Sequence, residues 1–142
     1  MADERVVSTT LEQIERYYGE LKEKQRSLSR DDLLTHTTEQ RAVERMFENA
    51  IQACADLAQH IATDDFEYTG ETSKGAIRCL GRENVIDEET AQTLVGAVGF
   101  RNVLAHEYGR VDYDEVYEIL QTGLDVYDAY GRQVAQWVRT NE

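Results

Sequence analysis

Through most of this chain apolar residues recur at the three- and four-residue spacing of a helix face, and no proline interrupts them. A 3.6-residue period puts such residues on one stripe, whereas a half-buried strand needs strict alternation, and no stretch here alternates convincingly. The pattern predicts an all-α chain. It is clearest in the second helix, where Val43, Met46, Phe47, Ala50, Ile51, Cys54, Leu57 and Ile61 share a face.

The other helices follow from the same spacing and from end signals. Val7, Leu11, Ile14, Tyr18 and Leu21 line a first helix, with Thr9 and Glu12 as a capping box if it starts late. A polar segment, SLSRDDLLTHTT, leads to the second helix, for which Thr37 and Gln40 form another capping box. TDDFEYTGETS, residues 63–73, has loop composition, and a short third helix is expected over 73–82. Asp87 and two following glutamates begin a fourth, because carboxylates favour the positive N-terminal end. Gly109 stands where that segment would end or turn. A fifth helix starts near Asp112 and runs through Val116, Ile119, Leu120, Gly123, Tyr127, Tyr130 and Val134 to Trp137, long enough for a bundle spine. The expectation is one domain over 1–142, an up-and-down antiparallel bundle of about four long helices and one short helix. A chain of 142 residues buries a sufficient core without disulfides or metal.

Charge narrows the function classes. A net charge of −13 rests on 28 carboxylates against 15 cations, 12 of them Arg and 3 Lys. Such a surface repels nucleic acid at long range. It also suits a high-salt cytoplasm, in which a carboxylate coat keeps protein soluble and the Debye length falls to about 3 Å at 1 M salt. MADERVVSTT lacks the regions of a signal peptide and no run approaches the roughly 18 apolar residues of a span, so a cytoplasmic protein without membrane association is expected. Cys54 and Cys79 have no metal-ligand or CxxC spacing and read as small buried hydrophobes.

Against this background GFRNVLAHEYG, residues 99–109, stands out. Leu94, Val98, Arg101 and Ala105 fall at i, i+4, i+7 and i+11, so the arginine lies in line with the core-facing stripe. A guanidinium there either pairs internally, lies at an interface, or lines a cleft. His106, five residues on, is about 140° around the helix and about 7.5 Å along it, so the two do not share a face. They converge only if the helix ends between them, or across a two-fold axis between copies of the chain. The plainer alternative is a cationic helix end stabilised by the dipole. HEYGR lacks the second histidine of HExxH, and His36 (a loop residue) and His60 (a helix-end residue) fall in no ligand spacing with His106, so no metal site is expected.

RNVLAHEY resembles the signature of the HEPN superfamily: an Arg and a His separated by four to six residues, the first of them commonly polar. Arg101, Asn102 and His106 fit it with a four-residue gap, and Tyr108 extends the match to the form of HepT-type toxins. ERMFENAIQACADLAQHI and the segment from TSKGAIRCLG to RNVLAHEYGRVDYDEVYEIL are similar to the same relatives. The resemblance implies a metal-independent endoribonuclease without a cofactor, the toxin of a type VII-like toxin–antitoxin pair. It implies a homodimer whose motif helices face one cleft, with RNA as substrate and a minimal nucleotidyltransferase (MntA-like) antitoxin that transfers AMP to the tyrosine matching Tyr108. In such a site His106 moves a proton or orients the 2′-OH, Arg101 holds the scissile phosphate, and Asn102 orients either group. AMP on Tyr108 would fill the phosphate subsite with bulk and negative charge.

The acidic coat runs against RNA binding, with one local exception. KGAIRCLGR, 74–82, has three cations and no carboxylate, with Lys74, Arg78 and Arg82 spaced by four, and Arg110 is a further cation near the motif. These four are candidate RNA contacts, or a solvated stripe. A non-catalytic helical module that binds a nucleotidyltransferase or nucleotide, using Arg101 for contact alone, is the competing function.

Overall fold

The computed structural model describes residues 2–106 and 111–141, and among these it forms seven helices and no strand. They are α1 (Glu4–Ser27), α2 (Arg30–Thr35), α3 (Thr37–Phe66), α4 (Ser73–Arg82), α5 (Glu88–His106), α6 (Tyr113–Thr122) and α7 (Asp125–Thr140). Four are long, with 24, 30, 19 and 16 residues in α1, α3, α5 and α7.

Contacts between ends fix the directions of these four. Ala2 and Asp3, at the start of α1, donate to Asp65 and His60 near the end of α3, while Lys24 meets Glu39 at 2.7 Å near the opposite ends. α1 and α3 are therefore antiparallel. Gln133 of α7 bonds Asp87 and Thr90 at the start of α5, and Tyr130 and Trp137 of α7 meet Cys54 and Phe66 of α3. α7 thus runs parallel to α3 and opposite to α1 and α5, which completes the up-and-down bundle that periodicity predicts.

The core is a single apolar cluster. Ile14, Leu21, Phe47, Ile51, Leu57, Ile61, Ile77, Leu80, Leu94 and Leu120 are all at 2% exposure or less. Both cysteines belong to it as free thiols, and burial pushes each above its ordinary titration range. Tyr130 is buried with them and donates to the Cys54 carbonyl at 2.9 Å, so its one polar atom is satisfied.

Several expectations need correction. The spine is α3, not the last helix, because the expected fifth helix is two: α6 ends at Gly123, whose N–H donates to the Ile119 carbonyl at 2.7 Å, and α7 restarts after buried Leu124. The polar segment before α3 contains α2, capped by Ser29 and anchored by Leu33, so the short helices number three among the described residues rather than one. α3 continues four residues into the expected loop, since Phe66 packs against Trp137 at 6.0 Å, and it closes on left-handed Glu67. His60 is consequently inside α3, where its Nε2 accepts from the Asp3 N–H at 3.2 Å. Neither capping box forms. Asp3 caps α1 well before Thr9, and the Gln40 amide donates to the carbonyls of Leu33 and Leu34 instead of turning back on its own helix.

α4 matches its expected range and lies against both α3 and α5 through Ala76, Ile77, Cys79 and Leu80. Gly81 makes the contact with α5 close, for a Cβ there would stand 2.9 Å from the Ala91 Cβ. No helix among the described residues is long and apolar enough to cross a membrane.

Candidate active site

Arg101 to His106 of the motif occupy the last two turns of α5. Asp87 starts this helix by accepting the Thr90 N–H at 2.8 Å, and that bond above all holds its carboxyl below the usual carboxylate range. Phe100 then locks the far end, meeting Phe47 of α3 edge-on with centroids 5.2 Å apart. The adjacent Arg101 is carried to the same α3 surface.

Arg101 is half-buried, and its guanidinium donates to Gln52 Oε1 of α3 and, at 3.2 Å, to Asn102 Oδ1. Both partners are neutral. No ion pair to Arg101 occurs among the described residues, in a chain with 28 carboxylates. Neither oxygen carries a charge to offset the guanidinium, and among the described residues these contacts engage two of its five N–H donors. An internal ion pair, one of the three environments open to it from sequence, is not found among the described residues.

His106 is the last residue of α5 and is exposed, as is Asn102. The helical angle keeps it off the Arg101 stripe: Gly99, Asn102, Val103 and His106, at i, i+3, i+4 and i+7, share the outer face instead. That face is not wholly polar, for Val103 is 44% exposed and Gly96 has nothing within 4 Å of where a Cβ would stand. A cavity of about 290 Å³ beside it is lined by Gly96, Gly99, Phe100, Val103 and residues of α6.

Lys74 is half-buried, and its ammonium lies 3.7 Å from the Cβ position of Gly99, one turn before Asn102 on the outer face. Arg78 and Arg82 continue the stripe along exposed α4 surface, further along the helix. Of the three cations Lys74 is the one placed against the motif helix. Tyr108 and Arg110 lie outside the described residues.

Sequence reasoning missed two groups here. Gln52, with Asp56 one turn on, carries no motif signal; only tertiary packing selects it as the Arg101 partner. The second is a cluster past the motif, where the Tyr113 hydroxyl donates to Glu44 Oε2 at 2.6 Å and accepts from Arg41 at 3.0 Å. Burial first, then the bond to Glu44, raises the Tyr113 phenol above its ordinary range. This cluster lines a cavity of about 530 Å³ with Leu104, Ala105 and Val111. A cavity of about 750 Å³ between α1 and α7 contains none of the described motif residues.

Comparison with known proteins shows the family of the chain. The family model described as "Ribonuclease HepT-like" matches residues 14–134. The tRNA nuclease HepT of Aphanizomenon flos-aquae is 31% identical over 137 residues, spanning 96% of this chain and 92% of that protein. The mRNA nuclease HepT of Shewanella oneidensis is 27% identical over 79 residues, 56% of this chain and 59% of that protein. Among solved structures, the tri-AMPylated Shewanella oneidensis HEPN toxin in complex with MNT antitoxin superposes with a TM-score of 0.84 at 21% identity, covering 96% of this chain and 99% of that one. At that identity the superposition speaks to the fold alone.

Proposed function

The chain belongs to the HepT-like ribonuclease family, and from that premise we propose that it is an endoribonuclease toxin, one HEPN-like domain over 1–142, paired with an MntA-like nucleotidyltransferase antitoxin. The observation that carries the proposal is the state of Arg101: a half-buried guanidinium held by neutral amides, with its charge left for an outside anion.

Cleavage of RNA through its own 2′-OH needs a base for that proton, an acid for the leaving 5′-oxygen, and positive charge on the phosphate as the transition state forms. No metal enters this scheme. Arg101 binds the scissile phosphate, His106 moves the proton or orients the 2′-OH, and Asn102 aligns the guanidinium. One motif supplies one imidazole, so two copies of the chain complete the site. The outer face of α5 suits that role, since exposed Val103 and the small residues Gly96 and Gly99 allow a second helix to approach closely beside Asn102 and His106. Lys74, Arg78, Arg82 and Arg110 guide RNA toward this cleft past the acidic remainder of the surface.

Tyr108, two residues past His106, is the position at which AMP transfer silences the enzyme. The added phosphates occupy the anion site that Arg101 otherwise offers to RNA. The proposal is tested with purified, unmodified protein, which cleaves RNA and loses the activity on His106→Ala without losing its fold or dimer. Treatment with ATP and the nucleotidyltransferase stops cleavage by the wild type and not by Tyr108→Phe. Absence of cleavage by the wild type would favour a non-catalytic binding module.

A further inference from the structure

The neutral group nearest Arg101 is itself held. Gln52 and Asp56 stand one turn apart on exposed positions of α3, and Gln52 Nε2 donates to Asp56 Oδ1 at 2.7 Å while Gln52 Oε1 accepts from the Arg101 guanidinium. A primary amide turned end for end keeps its shape but exchanges an acceptor for a donor. A carboxylate only accepts, so Asp56 takes the amide nitrogen and leaves the oxygen to face Arg101. The opposite orientation would set an N–H₂ against a guanidinium.

The choice of an amide at position 52 has a further consequence. A carboxylate there would meet the guanidinium in a two-point ion pair and compete with any phosphate. An apolar side chain would leave a long arginine with its rotamer freedom still to lose on binding. An amide held by Asp56 restrains Arg101 and leaves it charged. We propose that Gln52 is a positioning residue for Arg101, oriented by Asp56, which fixes the guanidinium toward an RNA phosphate without neutralising it. This rests on the assignment of Arg101 to the scissile phosphate.

The test is steady-state cleavage of a short oligoribonucleotide with one cut site, for wild type, Gln52→Ala, Gln52→Glu, Asp56→Ala and Arg101→Ala, each checked for stability and assembly. Gln52→Ala lowers kcat about tenfold with little change in KM, because a guanidinium no longer held in place must be ordered on the phosphate as its charge builds. Gln52→Glu, nearly isosteric, loses about a hundredfold and approaches Arg101→Ala. Asp56→Ala loses about threefold. In an Arg101→Lys background, which lacks the fork, Gln52→Ala costs less than twofold. Two results would overturn the inference: Gln52→Glu as active as wild type, or a Gln52→Ala loss equally large in both backgrounds, which marks a merely structural role. Wild-type cleavage by Arg101→Ala would instead sink the assignment beneath it.

Discussion

Gly81→Ala and Gly131→Ala are the same chemical change with different expected outcomes: the second stabilises and the first does not. Both glycines lie within helices, α4 and α7, where alanine is favoured by about 1 kcal/mol. At Gly131 the new methyl meets nothing within 4 Å, so the propensity gain stands nearly alone. At Gly81 it would come 2.9 Å from the Ala91 Cβ, against a comfortable carbon separation of about 3.5–4.0 Å, so α4 and α5 must part by roughly 0.6–1.1 Å. Overpacking of that kind costs about 1–3 kcal/mol, which cancels or exceeds the propensity gain. Propensity drops out of the difference between the two variants, leaving about 1–3 kcal/mol. With a urea slope of about 2 kcal/mol/M, their unfolding midpoints differ by roughly 1 M, with Gly131→Ala above wild type. Gly81→Ala also moves Lys74 relative to Gly99. Equal stabilisation by both substitutions would refute the close α4–α5 packing on which the cationic border of the motif depends.

Other expected outcomes follow from single contacts. Tyr130→Phe removes the buried bond to the Cys54 carbonyl and lowers stability by about 1 kcal/mol in denaturant titrations, without stranding the carbonyl, which stays in the α3 ladder. Asp87→Ala is less stable than wild type at pH 7. Because the folded-state carboxyl titrates below its unfolded value of about 3.9, its contribution is present above that pH and disappears as pH falls through the folded value. The gap in unfolding midpoints should therefore narrow as pH falls below about 4; a gap that widens would contradict the capping role. Charge reversal at Lys74, Arg78 and Arg82 together weakens RNA cleavage and lowers the salt slope by up to about 2, at roughly 0.7 per single-strand phosphate contact. Unchanged cleavage across salt concentrations would remove α4 from the RNA path.

The features legible in sequence were those set locally. The α4 range and the Asp87 start of α5 follow from spacing and end chemistry, and the half-buried state of Arg101 follows from its line with Leu94 and Val98. The failures have tertiary causes. Gly123 inside an apolar pattern reads as tolerated, yet the chain breaks there so that Leu124 can enter the core. α2 has six residues, too few for periodicity, and depends on Leu33 being buried by its neighbours. The end of α3 is decided by Trp137, seventy-one residues beyond Phe66. Gln52 and Asp56 look like ordinary surface polars of α3; nothing local distinguishes them until α5 crosses α3 and brings Arg101 alongside.

The most direct measurement is RNA cleavage by purified, unmodified protein in excess EDTA, with the ends of the products identified, for wild type beside Arg101→Ala and His106→Ala. The account predicts cleavage by the wild type alone, undiminished by EDTA, leaving 2′,3′-cyclic phosphate and 5′-hydroxyl ends, as attack by the 2′-OH requires. Cleavage that EDTA abolishes, or that persists at full rate in either variant, would contradict it.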